Sequence, residues 1–270
     1  MRIITWNCAR AFRKKAHRIL ALEPNVVVVQ ECENPAECTD KTWLTDFSDW
    51  VWFGDNKNQG VGLFFRGEVE VAVGRPYHPE FKFIAAYDLE QPPGGCEPPG
   101  GSWRYTIVPI WANNALSGKF RYIGQVWNFL EKYKHELMGR EVILLGDLNS
   151  NANWDTRSRW WNHSDVVRVL KEIGIESLYH THREIEHGSE PENTFFLYKN
   201  REKGYHLDYI FGSGYFRRNL SNISVAPYDE WCKYSDHCPV ICDFEPGRNQ
   251  EGTQRFTEKQ RFTERGKLVS

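Results

Sequence analysis

The residues with the most chemical capacity in this 270-residue chain stand at the ends of apolar runs. Asn7 closes RIITWN, and Glu31 follows the valines of VVVVQE. Asp147 and Asn149 end EVILLGDLN, Asp208 lies inside YHLDYIF, and Asp236 and His237 precede PVICDF. Carboxylates and carboxamides suit hard divalent cations, and carboxylates with an imidazole suit proton transfer. A carboxylate behind four valines is costly if buried alone, so Glu31 is paired, sits on a metal, or marks where the strand emerges into water. Asp147 and Asn149, two apart, point the same way in extended chain. Gly146 permits a sharp turn there, and a plain Gly-Asp turn accounts for Asn149 less well. Asn7 alone reads equally as a turn residue. In YHLDYIF, alternation puts Tyr205, Leu207, Tyr209 and Phe211 on one face and leaves Asp208 with His206 and Ile210. Asp208 then needs a histidine partner, or an edge position in water.

Strands must hold these groups. Apolar, β-branched runs occur at 2–6, 25–31, 61–65, 105–111, 141–147, 205–211 and 239–244. Helical spacing links Phe12, Ala16, Ile19 and Leu20, then Ile123 through Leu137, then Val166, Val169, Leu170 and Ile173. Many buried strands with few helices between them predict an α+β protein of stacked sheets covered by helices. QPPGGCEPPGG at 91–101 predicts an exposed loop. The polar tail carries QRFTE twice, so residues 1–245 are expected as the domain and 246–270 as a loosely held extension.

Composition narrows the classes. Formal charge is −2, so no global basic field advertises a polyanion partner, and such binding needs a local patch or a metal. There is no apolar run long enough to span a membrane and no leader-like segment, so a cytoplasmic location is expected. The seven cysteines are scattered without a CxxC pair, which predicts reduced thiols. No protein partner can be inferred.

TWN, QE, GDLNS, HLDYIF and SDHCPV, in this order, resemble the motifs of the endonuclease/exonuclease/phosphatase superfamily, and they span residues 5 to 240. YHLDY and TFFLY look most like a bacterial branch of it. The resemblance implies a deoxyribonuclease-I-like fold, a four-layer α/β/β/α sandwich of two stacked mixed β-sheets flanked by helices. It also implies a phosphoester hydrolase that uses Mg2+ or Mn2+. Glu31 would be the principal metal ligand, with Asn7 and Asp236 near the ion or its waters. Asp147 would orient and deprotonate the attacking water, and Asn149 would donate to phosphoryl oxygens. His237 would face a phosphate oxygen while Asp208 accepts from its other nitrogen, and Asn114 would be a further phosphate contact. Two carboxylates about 4 Å apart repel by roughly 4 kcal/mol at an effective dielectric near 20, so convergence of these acids would itself call for a cation.

Two departures blur the substrate. Trp111 stands where many members carry Tyr or His as a phosphate contact. QECEN replaces the QE-Thr-Lys run of the abasic-site repair branch, with Glu33 where a cation is expected. NWDTRSRWWNH at 153–163 supplies Arg157, Arg159 and Trp160, which could stack on and neutralise a nucleic acid strand or could pack a long loop. The basic run RAFRKKAHR at 10–18 could meet a phosphate backbone or be a solvated helix face. His180, His182 and His187 are expected at the surface rather than on zinc. The leading expectation is a phosphodiesterase or nuclease attacking phosphorus with an activated water. A hydrolase of a small phosphoester (nucleotide, lipid head group or inositol phosphate) is the second. A non-catalytic binding module comes last, because a dead site has no reason to keep all seven motif side chains.

Overall fold

The structure is a computed structural model and describes residues 1–75, 81–91, 103–114 and 120–245. The loop expected over 91–101, save Gln91, and the whole tail from 246 lie outside the described residues. In chain order the first half gives β1 (Arg2–Asn7), α1 (Ala16–Leu20), β2 (Val26–Cys32), β3 (Asp49–Asn56), β4 (Gln59–Phe65), β5 (Glu70–Arg75), β6 (Ala86–Gln91) and β7 (Trp103–Trp111). Next come α2 (Ile123–Leu137), β8 (Val142–Asp147), α3 (His163–Glu172), β9 (Glu176–Ser177), α4 (Leu178–Arg183), β10 (Phe195–Phe196) and β11 (Gly204–Tyr205). The chain continues through β12 (Asp208–Gly212), α5 (Gly214–Asn219), β13 (Leu220–Val225), α6 (Tyr228–Trp231) and β14 (Val240–Phe244).

Two six-stranded mixed sheets form, one ordered β13-β14-β1-β2-β4-β3 and the other β5-β6-β7-β8-β12-β9. Period-two alternation sorts their side chains into layers. Ile3, Val26, Val28 and Leu63 of the first sheet meet Ile107, Ile143, Leu145 and Ile210 of the second in a dry inner core. The outer face of the first sheet, with Ile4, Trp6, Val27 and Val29, is covered by Phe12, Ile19 and Trp231. The outer face of the second, with Val108, Ile110 and Leu144, is covered by Val126, Phe129 and Leu130 of α2 and Val166, Val169 and Leu170 of α3. The expected four-layer sandwich is the architecture observed. No helix among the described residues is long and apolar enough to cross a membrane.

Register brings the motif residues to one end of both sheets. β1 and β2 run parallel and finish together, with Asn7 opposite Gln30. β8 runs parallel to β7 and antiparallel to β12, which sets Asp147 beside Trp111 on one side and Asp208 on the other. Asp147 shares parity with Ile143 and Leu145, and Asp208 with Ile210, so both carboxylates face the gap between the sheets.

Three local features depart from the sequence expectation. The predicted first helix is a 3-10 turn at Phe12–Lys14 followed by the short α1, because Ala9, Arg10 and Ala11 all take left-handed backbone (φ 50, 70 and 51) first. Asn149 reaches Asp147 through left-handed backbone (φ 45) rather than through extended chain. The run 205–211 is not one strand. It breaks at His206-Leu207, so His206 packs on Tyr179 and Tyr209 instead of sharing the face of Asp208.

Candidate active site

Glu31 shows how local backbone builds this site. Alternation along β2 would send it outward with Val27 and Val29, onto the face covered by α1 and α6. A β-bulge shifts the β2–β4 register between Gln30 and Cys32, and Glu31 takes φ 56. Such backbone costs a non-glycine residue on the order of 1–2 kcal/mol. The bulge turns the carboxylate toward Asn7, whose Nδ2 donates to Glu31 Oε1 at 3.3 Å and to Asp147 Oδ2 at 3.0 Å. Gln59 Nε2, from the neighbouring strand, holds the other oxygen of Glu31 at 3.1 Å. Asn7 itself is fixed by the Ala9 amide, which donates to its Oδ1 at 3.0 Å.

Asp147 is fully buried. Besides Asn7 it accepts from the Asn149 backbone amide at 2.9 Å and from Asn149 Nδ2 at 2.9 Å. His237 Nδ1 meets Asp208 Oδ2 at 2.8 Å, and His237 Nε2 stands 3.9 Å from Asp147 Oδ2. The His237 segment is pinned from three sides. Ser235 Oγ donates to the Asn7 carbonyl at 2.7 Å and accepts from the His237 amide at 3.0 Å, while Trp6 Nε1 donates to the His237 carbonyl at 3.0 Å. Thr194 Oγ1 accepts from the amides of Leu207 and Asp208, closing the strand break beside the buried carboxylate. Asp236 is half-buried next to Ser235, with Ser235 Oγ 3.4 Å from its Oδ1.

The electrostatics follow from burial. Desolvation pushes the Asp147 carboxyl up to about 7 against the pull of His237, and the nearby Asp208 adds to the rise. Burial lowers His237, but the charges of Asp208 and Asp147 outweigh it and push the imidazole up to about 10. His237 is therefore an imidazolium at neutral pH, and its Nδ1–H is committed to Asp208. Among the described residues it is the only cation in ion-pair contact with Asp147 or Asp208. Four carboxylates gather here against one imidazolium, and Asp208 Oδ1 is buried with no hydrogen-bond partner.

These residues fit a hard divalent cation. Glu31 is aimed by strained backbone and keeps spare lone pairs on both oxygens, while Asn7 meets it through Nδ2 and holds Oδ1 against the Ala9 amide. Asp147, Asp208 and His237 also bring ligand atoms within 4.8 Å of one another. Asp147 and Asp208 are, however, already engaged by amides and by the imidazolium, and an imidazolium has no lone pair to give. Glu31, held only by two carboxamide N–H donors, is the better-suited ligand.

The remaining sequence candidates stand on the segments after β7 and ahead of α3. Asn114 is exposed three residues past the end of β7, whose last residue Trp111 pairs with Asp147, whereas the adjacent Asn113 is buried. Arg159 donates to Asn162 Oδ1 at 2.8 Å and to the Trp154 carbonyl at 2.9 Å, so it folds the loop ahead of α3. Arg157 is exposed, and Trp160 is 57% exposed, edge-on to the buried Trp161. Lys15, from the basic run, donates to the Cys8 carbonyl at 2.5 Å, and Glu33 is buried against the amides of Phe12 and Arg13. The surface expectation for the histidines is corrected for His180, which is buried, and for His187, which is half-buried; His182 is exposed. Sequence reasoning missed Gln59, Thr194 and Ser235. It also missed an aromatic path in which Phe195 lies 4.7 Å from His237, Tyr205 6.4 Å from Phe195, and Trp154 5.1 Å from Tyr205. The TFFLY run was the available signal for Phe195. All six described cysteines are free.

Comparison with known proteins matches residues 4–237 to the Endonuclease/Exonuclease/phosphatase family. Among solved structures, a 3′-5′ exonuclease (NExo) from Neisseria meningitidis is 20% identical, with 91% of this chain and 100% of that one covered and a TM-score of 0.66. A 3′ phosphatase NExo from Neisseria bound to product DNA hairpin is 20% identical over 91% and 99% of the two chains, with a TM-score of 0.64. The AP endonuclease LMAP from Leishmania major is 16% identical over 90% and 87%, with a TM-score of 0.67. No curated protein sequence matches.

Proposed function

Because the chain belongs to the endonuclease/exonuclease/phosphatase family, we propose that it is a divalent-metal-dependent phosphodiesterase acting on nucleic acid. One observation carries the reading: a single amide, Asn7 Nδ2, joins Glu31 to Asp147, and Asp147 stands 3.9 Å from an imidazolium held by Asp208. Metal ligation and proton transfer thus meet in one cluster. Glu31 would hold Mg2+ or Mn2+, with Asn7 and Asp236 close to the ion or its waters. Such an ion, when bound, supplies Lewis-acid stabilisation of charge on phosphoryl oxygen.

The chain's own groups do the rest. Asp147 takes the proton of the attacking water, and its position between two carboxamides orients its lone pairs. Asn149 Nδ2 has two N–H bonds, one committed to Asp147 and one left for a phosphoryl oxygen. His237 presents Nε2–H to a second phosphoryl oxygen, because Asp208 fixes the ring through Nδ1. Fixed donors of this kind stabilise developing charge without reorganising. Asn114, Arg157 and Trp160 meet the substrate at the rim.

Nucleic acid is favoured by the aromatic path from His237 outward and by the 40% exposed Trp154 and 57% exposed Trp160, flat surfaces on which bases stack. The DNA hairpin bound by the Neisseria relative points the same way. A small phosphoester is the second reading, supported by the net charge of −2. The deciding experiment is a substrate panel with Mg2+, Mn2+ or chelator: plasmid, single-stranded DNA, RNA, abasic duplex, nucleotides and phospholipid head groups. Turnover of a polynucleotide that disappears in chelator, returns with either metal and weakens steeply with salt is expected. Full activity in chelator, or turnover of small phosphoesters alone, refutes the proposal.

A further inference from the structure

Beside the turn that carries Asp147 and Asn149 lies a second group of donors that the phosphoester chemistry does not use. Four imidazoles gather around Tyr209, with ring centroids of His163, His206, His187 and His180 at 4.9, 5.0, 6.0 and 6.1 Å from it. They come from separate places: the start of α3, α4, the segment between α4 and β10, and the break between β11 and β12. His163, His180 and His206 are buried, and His187 is half-buried.

Three of these rings share one pattern. Nδ1 of His180 meets Ser177 Oγ at 2.7 Å, Nδ1 of His187 meets His163 Nε2 at 3.1 Å, and Nδ1 of His206 meets the Glu192 carbonyl at 2.7 Å. Each ring is thus held through Nδ1, and metal-ligating histidines are oriented through their second nitrogen in this way. A carbonyl only accepts, so neutral His206 carries its proton on Nδ1. Its Nε2 is a bare lone pair, buried with no partner. Glu190 adds an oxygen donor, its Oε1 2.9 Å from His180 Nε2. Ligand atoms of His180, His187 and Glu190 lie within 4.8 Å of one another. Burial, reinforced by the neighbouring rings, lowers His163, His187 and His206. Burial raises Glu190, but hydrogen bonds from His180, the Gly188 amide and Asn151 hold it well below the usual carboxylate range.

We propose that His180, His187 and Glu190 bind a transition-metal ion of the zinc class, at a site separate from the hard-cation site of Glu31. A nitrogen-rich donor set selects zinc, cobalt, nickel or copper over magnesium. The rings of His180 and His187 lie stacked, centroids 3.5 Å apart and planes within 12°. An ion in the plane of both therefore requires His187 to turn out of the stack and release His163. On binding, the His180 proton moves from Nε2 to Nδ1 and is donated to Ser177 Oγ, with no net release. Asn151, two residues past Asn149, donates to Glu190 Oε2 at 3.2 Å, so the ion would brace the turn behind the active site.

The test uses the full chain, stripped of metal, equilibrated with zinc in excess magnesium, desalted, and assayed for bound metal. One retained zinc is expected, with His180 and His187 ring-nitrogen signals shifting by NMR. Affinity should fall by about ten-fold or more in His187→Gln and in Glu190→Gln, and stay unchanged in Glu31→Gln. Glu190→Gln could unfold, so the half-exposed His187→Gln and the wild-type NMR shifts carry the decision. Three results would overturn the site: no retained zinc, zinc retained equally in His187→Gln, or zinc lost in Glu31→Gln.

Discussion

Replacing Asp208 with Asn should move the titration of His237, and the structure sets the size of the effect. Asp208 is fully buried and its Oδ2 lies 2.8 Å from His237 Nδ1. Burial alone would lower this imidazole; Asp208 is the foremost of the charges that instead push it up to about 10 from an ordinary 6.5. That rise corresponds to roughly 5 kcal/mol in favour of the imidazolium. Asn keeps the volume and removes the charge, so His237 should titrate near neutrality in Asp208→Asn.

The sign is fixed by linkage. A histidine raised in the folded state gives stability that is fully present below its unfolded value near 6.5 and is lost as pH rises through about 10. Urea denaturation of the metal-free wild type should therefore show stability falling between pH 7 and 10, and Asp208→Asn should show a clearly shallower fall there. NMR of the imidazole nitrogens reads the same titration directly, and the alkaline limb of the pH–rate profile should shift toward neutrality with it. If His237 titrates at the wild-type pH in Asp208→Asn, Asp208 does not hold its proton and the assigned pairing fails.

Three further outcomes follow from the geometry. Asp147→Asn should lower turnover by about 10³-fold or more. Because burial raises Asp147 to about 7, its ionised form destabilises the metal-free fold progressively from pH 4 upward. That fall in stability between pH 4 and 7 should be absent from urea titrations of the same variant, and a fall of the wild-type size would contradict the burial argument. Gly146→Ala should cost roughly 3 kcal/mol or more and abolish activity. An added Cβ would meet the Ile110 carbonyl oxygen at 1.9 Å on backbone of φ +144, so an unchanged thermal midpoint would rule out that close approach. Burial pushes His163 down to about 4, so metal-free protein should lose up to roughly 3 kcal/mol as pH falls from 6.5 to 4. His163→Phe should make that limb shallower, the lowered His187 and His206 sustaining the rest, and an unaltered acid profile would show that His163 does not contribute to it.

The sequence by itself determined the layers. Continuous valine and leucine runs can only be strands buried on both faces, and the 3.6-residue spacing of α2 and α3 can only cover one of those faces. Period two put Asp208 on the face of Ile210, opposite Tyr209 and Phe211, and only the stacking of the two sheets made that face the inner one. The motif order named the family before any coordinate was known. Other features belonged to tertiary structure because they depend on backbone that breaks periodicity, or on partners distant in the chain. Glu31 faces Asn7 only because a bulge reverses the parity of β2. Asn149 returns to Asp147 through a left-handed turn that alternation cannot express. His206 leaves the face of Asp208 because the strand breaks beneath it, and the partner Asp208 finds is His237, 29 residues away. The histidines at 163, 180, 187 and 206 look like scattered polar residues in the sequence. They become one cluster only where α3, α4 and the strand break converge on Tyr209, since packing between elements, not spacing along the chain, brings their nitrogens together.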